Sequence, residues 1–174
     1  MSGLRRLSSR IVHSGPIATV RVDRFRYPDG TEAEREVVVH PGAAAAVAHD
    51  GTSLYLVRQP REAVGEPALL EIPAGKLDVE GEGPLECMRR ELAEEIGMAA
   101  DDWMLLKRLY TSPGFAAEEV HVFLATGLRE VDHEPDPGER IEVVRWPLDD
   151  IDGAIAACRD AKSLIGLMLL RQQL

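Results

Sequence analysis

Leu85, Met88, Leu92 and Ile96 recur at three- and four-residue steps, with Pro84 ahead of them and Gly97 behind. That spacing predicts an amphipathic helix whose first turn suits proline and whose C-terminal end suits glycine. What constrains the chain most is the charge that this helix carries in Arg90-Glu91-Leu92-Ala93-Glu94-Glu95-Ile96-Gly97. Glu91 and Glu95 are i,i+4 neighbours, and Glu94 stands three on from Glu91. Arg90 is spaced to pair with Glu86 and Glu94, whereas Glu91 and Glu95 have no base at their helical neighbour positions. Two like charges so placed destabilise a helix by roughly 0.2–0.5 kcal/mol per pair, and the macrodipole disfavours them again towards the C-terminal half. A solvated acidic face is one explanation; a divalent cation held between the carboxylates is the other.

The flanking residues favour the cation. Upstream run Leu69-Leu70-Glu71-Ile72-Pro73-Ala74-Gly75-Lys76, an apolar strand into a Pro-Ala-Gly turn, then an acidic loop through Glu82 and Gly83 to Pro84. With these residues the chain resembles the Nudix hydrolases, whose box is Gly, five residues, Glu, seven residues, then Arg-Glu-apolar-x-Glu-Glu-x-Gly-apolar. Glu82 is followed by seven residues, and Arg90 to Met98 match the remaining positions; six residues, not five, separate Gly75 from Glu82. The extra residue falls in the loop, which leaves the helical acids in register and the direction of Glu82 undetermined.

The resemblance implies an α/β fold, a Nudix-like α/β/α sandwich with a mixed β-sheet and an N-terminal antiparallel β segment. It implies metal ligation by Glu91, Glu95 and the main chain of Ala74, with Glu94 a further or water-mediated ligand and Glu82 a weaker one. Oxygen donors of this kind suit Mg²⁺, with Mn²⁺ as the alternative. Arg90 would orient the carboxylates by charge-assisted hydrogen bonds. Tyr110-Thr111-Ser112-Pro113-Gly114-Phe115, with Pro113 sixteen residues beyond Gly97, is similar to the ADP-ribose pyrophosphatase branch. Pro113, Gly114, Phe115, Arg35, Glu36 and Arg61 resemble the branch positions that hold substrate. In the branch the general base is a Glu on the loop before the last core strand; Glu139 is the first candidate here, with Glu134 and Asp136 behind it.

The implied reaction is metal-dependent cleavage of a nucleoside diphosphate sugar, ADP-ribose to AMP and ribose 5-phosphate. The alternatives are another NDP-sugar, a nucleoside triphosphate, or a catalytically silent nucleotide-binding sensor. The resemblance also implies a homodimer through the N-terminal strands. That divides the chain at residue 40, with 1–40 a β segment and 41–174 the hydrolase domain.

Composition agrees. A chain of 174 residues, 45% apolar, has the length to bury a core. A formal charge of −10 argues against a nucleic-acid polymer as partner, while a small phosphorylated ligand remains compatible once cations join it. The N-terminal residues lack an apolar signal region, and the apolar runs are too short for a bilayer, so no membrane partner and a cytoplasmic location are expected. Cys87 and Cys158 fit free thiols in a reducing compartment.

Strand signals cover Ile17 to Tyr27 and Glu34 to His40 around a Pro28-Asp29-Gly30 turn, and Gly42 to His49 with Leu54 to Gln59 as a second pair. Trp103 to Tyr110, Val120 to Ala125 and Ile141 to Trp146 read as further strands. Leu148 to Arg159 and Ser163 to Arg171 read as helices. The five histidines show no HxxxH or HExxH spacing, and Gly75-Lys76 lacks the rest of a P-loop.

Overall fold

Ala43 to Ala48 are all covered by packing, which places this run of small residues at the middle of a sheet with helices on both faces. The computed structural model describes residues 3–15, 18–132, 138 and 140–174, and they group into two units. The first is Met1–Gly42 with Tyr110–Glu119, and the second is Ala43–Leu109 with Val120–Leu174. The sequence division at residue 40 differs from this grouping chiefly in the segment 110–119, which joins the N-terminal strands.

In the first unit, β1 (Arg5–Ser14), β2 (Thr19–Arg26) and β3 (Glu32–Val39) form an antiparallel meander in that order. The β2–β3 turn follows from its residues: Gly30 takes φ 85°, and Asp29 accepts hydrogen bonds from the Thr31 amide and hydroxyl at 3.0 and 2.6 Å. The segment 110–119 is tied to β3 where Val38 N–H donates to Phe115 O and Ala117 N–H donates to Val38 O. Leu4, Ile11 and Val12 remain exposed on this thin sheet.

The second unit contains β4 (Ala43–His49), β5 (Ser53–Arg61), β6 (Glu66–Glu71), β7 (Ala74–Lys76), α1 (Pro84–Ile96), β8 (Met98–Tyr110), β9 (Glu119–Glu130), β10 (Glu142–Pro147), α2 (Ile151–Ala157) and α3 (Ala161–Arg171). The strand order is β10-β5-β4-β9-β8, with β6 on β5 and β7 on β4. Alternation along the strands sorts the two faces. Ala45, Val47, Leu54, Leu56 and Val122 pack with Ile151, Leu167 and Leu170, whereas Ala44, Ala46, Tyr55, Val57 and Phe123 pack with Met88, Leu92 and Ile96 of α1. Gly166 lets α3 lie close: a Cβ there would meet Val47 Cγ2 at 2.7 Å.

Two sequence expectations change. The β4–β5 hairpin is paired only at Ala48–Tyr55 and His49–Leu54, and then it opens. Into the gap comes β7, antiparallel to Ala43–Ala45, while the other edge of β4 pairs in parallel with β9. The helix read from Leu148 begins as a 3-10 turn, Leu148–Asp150, and α2 proper ends at Ala157. Asp150 accepts from Gly153 N–H there, a local bond that starts the helix later than its apolar spacing suggested.

Candidate functional site

Gly83, extended at φ −81° and ψ 166°, precedes Pro84 at the first turn of α1, and Gly97 closes the helix at φ 67° with its N–H on Ala93 O. Both ends are as the sequence implied. Met88, Leu92 and Ile96 hold the helix on the sheet. The adjoining stripe, Cys87, Glu91 and Glu95, runs along β7. Cys87 Sγ donates to Lys76 O at 3.4 Å, and Ala74 N–H donates to Glu95 Oε2 at 2.9 Å. Between them Glu91 sits over Gly75, where a Cβ would lie 2.1 Å from its carboxyl oxygen. Glycine is needed there for close approach of the acid. Burial and the nearby Glu91 and Glu82 charges push the Cys87 thiol up to about 12, so it stays protonated.

Arg90 is the electrostatic hub. Its guanidinium donates to both Glu82 oxygens at 2.9 and 3.0 Å, to Glu91 Oε1 at 2.8 Å and to Glu94 Oε2 at 2.8 Å. This corrects the expectation that Glu91 lacks a local cation: the residue just before it, spaced wrongly for the helix surface, turns its flat fork back across the acids. The same contacts orient Glu82 towards α1. The hydrogen bond from Arg90 holds the Glu82 carboxyl below its usual value, and the bond to Glu82 in turn raises Arg90. Glu95 is 5% exposed and belongs to the floor of the group.

Ala74 reaches this place because the chain changes strands just before it. β6 pairs with β5 as far as Glu71, and β7 pairs with β4 from Ala74. At the crossing, the buried Ile72 N–H has Ser163 Oγ as acceptor at 2.9 Å, and Pro73 O accepts from Ala46 N–H at 2.9 Å. Glu71, 1% exposed, takes two hydrogen bonds from Arg61 at 2.7 and 2.9 Å and a third from Lys162. Lys162 is also bound to Asp160, which caps α3 through Ser163. Glu71, Asp160, Lys162 and Ser163 were not anticipated. Asp160-x-x-Ser163 is a helix-start signal, but nothing local links it to Glu71, ninety-one residues before Lys162.

In the first unit a cavity of about 760 Å³ is lined by Arg10, Val22, Glu36 and their neighbours together with Arg35, Gly114 and Phe115. Register puts Arg10, Val22 and Glu36 in one row across the three strands. Arg35 donates to Tyr27 Oη at 3.0 Å. Arg35, Glu36, Gly114 and Phe115 are thus brought together. Pro113 is exposed in the same turn without lining the cavity, and Arg61 belongs to the Glu71 group instead. Arg10 was missed because an arginine on an exposed strand carries no distinguishing pattern. Glu139, Glu134 and Asp136 lie outside the described residues.

The donors around Gly75 are all oxygen, and the missing Cβ makes room for one of them. That chemistry fits a hard divalent cation. Among the described residues no three His, Cys, Asp or Glu side chains already converge as on an ion; Arg90 spans three of these acids instead. Also among the described residues, no helix is long and apolar enough to cross a membrane.

The chain is similar to known proteins. The nucleoside diphosphate sugar hydrolase N-terminal domain matches residues 5–38. The ADP-ribose pyrophosphatase of Mycobacterium tuberculosis (strain ATCC 25618 / H37Rv) is 48% identical over 126 residues, 72% of this chain but 60% of that relative. The ADP-ribose pyrophosphatase of Bacillus subtilis (strain 168) is 42% identical over 142 residues, 80% of this chain and 76% of its own. A crystal structure of an ADP compounds hydrolase aligns with a TM-score of 0.86 at 25% identity, covering 99% of this chain and 95% of that one. The NUDIX domain model matches residues 38–164, which include the acid helix, the Pro-Ala-Gly turn and most of the sheet that brings them together. On that match, the chain belongs to the Nudix family.

Proposed function

We propose that this protein hydrolyses the diphosphate of an ADP-linked sugar, ADP-ribose foremost, to AMP and ribose 5-phosphate. The observation that carries the reading is Glu91 seated over Gly75, beside an Ala74 amide fixed by Glu95. Two relatives named ADP-ribose pyrophosphatase support the choice of substrate. Glu91, Glu95 and the Ala74 main chain hold Mg²⁺, Mn²⁺ suiting the same donors, with Glu94 as a further ligand and Glu82 as a weaker one. When bound, the cation supplies positive charge to the diphosphate and its leaving oxygen.

The chain's own residues do the rest. Arg90 fixes the directions of Glu82, Glu91 and Glu94 through charge-assisted hydrogen bonds. Arg61 binds a phosphate oxygen. Water adds to one phosphorus, the bond from that phosphorus to the bridging oxygen breaks, and the bridging oxygen leaves with the other phosphate. Glu139 takes the water's proton as general base. The cavity of the first unit, taken by itself, has the groups that suit a nucleoside. There the Phe115 ring and the guanidinium groups of Arg10 and Arg35 offer stacking surfaces, and Glu36 offers an acceptor for an exocyclic amine.

The N-terminal strands form a homodimer, in which a second copy covers Leu4, Ile11 and Val12 and each copy lends Arg35 to its partner's site. A chain that sediments as a monomer at micromolar concentration would sink that part. The setting is the cytoplasm, in keeping with free, buried Cys87 and Cys158.

The deciding assay is release of AMP from ADP-ribose with Mg²⁺ present or chelated, beside a panel of NDP-sugars and nucleoside triphosphates. Mg²⁺-dependent AMP release with preference for ADP-ribose is expected. Preference for another NDP-sugar or a triphosphate would replace the substrate, and binding without turnover would make the chain a sensor.

A further inference from the structure

Arg61 and Lys162 share one buried carboxylate, and they do so unequally. Arg61, at the end of β5, is 40% exposed at its side chain, Lys162 13% and Glu71 1%. Lys162 is held at two places, by Glu71 and by Asp160. Asp160 is itself fixed, accepting from the Ser163 amide and hydroxyl at 3.0 and 2.7 Å. Lys162 is therefore the anchored cation of the group and Arg61 the one that can exchange partners. Arg61 also feels the charge of Glu95 on α1.

A buried carboxylate must keep a cation. With Arg61 alone beside it, Glu71 would hold that guanidinium against any competing phosphate. With Lys162 present, Glu71 remains compensated when Arg61 turns away. We propose that Lys162 is a positioning residue for the diphosphate: by neutralising Glu71 from the α3 side, it leaves the Arg61 guanidinium free to bind a substrate phosphate. This rests on the reading that the site takes an ADP-sugar and that Arg61 meets its phosphates.

The sign of a double substitution tests it. KM and kcat for ADP-ribose, the Kd for AMP measured calorimetrically without added metal, and the melting temperature are read for Lys162→Met, Lys162→Arg, Arg61→Ala, Glu71→Gln and the pair Lys162→Met/Glu71→Gln. Lys162→Met should raise KM about tenfold, towards the Arg61→Ala value, with kcat within about threefold, since binding and not the chemical step is altered. Lys162→Arg should restore KM. The double variant should have a lower KM than Lys162→Met, because removing the carboxylate releases Arg61. AMP affinity should follow the same order.

A merely structural lysine predicts a different pattern: the melting temperature falls in Lys162→Met and recovers in part in the pair, while the KM of the pair is no lower than that of Lys162→Met. That result, or an unchanged KM in folded Lys162→Met, overturns the proposal. Should Lys162→Met not fold, Glu71→Gln decides: its KM should be no higher than that of the parent, and a rise to the Arg61→Ala level overturns the proposal. If the parent releases AMP from ADP-ribose and these orders fail, only this inference falls. If it cleaves no ADP-sugar, the functional reading falls with it.

Discussion

Glu91 occupies the space that a side chain at Gly75 would fill, its carboxyl carbon 2.1 Å from where a Cβ would stand. The two residues belong to a helix and a strand that are separated by the whole acidic loop. The close approach of α1 to β7 puts the Glu91 carboxylate against the Gly75 backbone, one residue on from the Ala74 amide that Glu95 holds.

Gly75→Ala should therefore separate stability from activity. The clash is with the Glu91 side chain from its Cγ to its carboxyl, so Glu91 must change rotamer, at a cost of roughly 1 kcal/mol. Once moved, the acid leaves its place over the strand, and kcat should fall by about a hundredfold or more. Melting curves read beside turnover check this, and near-parental kcat in a folded variant would contradict it.

Glu91→Gln and Glu95→Gln should each lower kcat by orders of magnitude at saturating Mg²⁺ while the fold persists. Glu91→Gln loses the ion pair with Arg90 but also a like charge, and Arg90 keeps Glu82 and Glu94. With the Glu91 side chain 13% exposed and Arg90 33%, stability should change by about 1–2 kcal/mol. Turnover close to the parent's in either variant would remove that residue from the ligand set.

Glu71 gives a pH signature. Burial pushes its carboxyl up, but hydrogen bonds from Arg61 and the Lys162 charge outweigh that, and the net direction is down from 4.5. A folded-state value below the unfolded one means that this group stabilises the fold above 4.5 and that the contribution is lost as pH falls through the lowered value. Thermal melts from pH 7 to 3 should show Glu71→Gln less stable than the parent at pH 7 and the two converging in acid. Curves that stay parallel would exclude the group as a contributor to acid unfolding.

Glu36→Gln and Phe115→Ala should raise KM for ADP-ribose about tenfold with little change in kcat, because the cavity of the first unit suits the nucleoside and not the reacting phosphorus. Steady-state kinetics on ADP-ribose and a guanine counterpart would read it. A drop in kcat at constant KM would move these residues from binding to chemistry.

Glu139→Gln should lower kcat with KM nearly unchanged, and the loss should shrink as pH rises, since the base acts in the transition state. Parallel pH–rate profiles for Glu134→Gln, Asp136→Asn and Glu139→Gln over about pH 6–9 assign the proton acceptor. If all three keep more than about half of parental activity throughout, none of them is the base.

The sequence by itself determined what depends on neighbours along the chain. Helical spacing with Pro84 and Gly97 set the ends of α1 and put Glu91 and Glu95 on one stripe. Pro28-Asp29-Gly30 set a turn, because Asp29 bonds to Thr31 two residues on and Gly30 takes a positive φ. The Nudix spacing named the acids for the same reason, since a helix keeps register without help from elsewhere. Only the tertiary structure decided that the β4–β5 hairpin opens to admit β7, that Phe115 returns to Val38, and that Lys162 reaches back to Glu71. It also turned Arg90 onto Glu91, against the spacing rule for helix surfaces. Each of these is a search by a buried or desolvated polar group for a partner, and packing, not periodicity, decides which distant residue comes within reach.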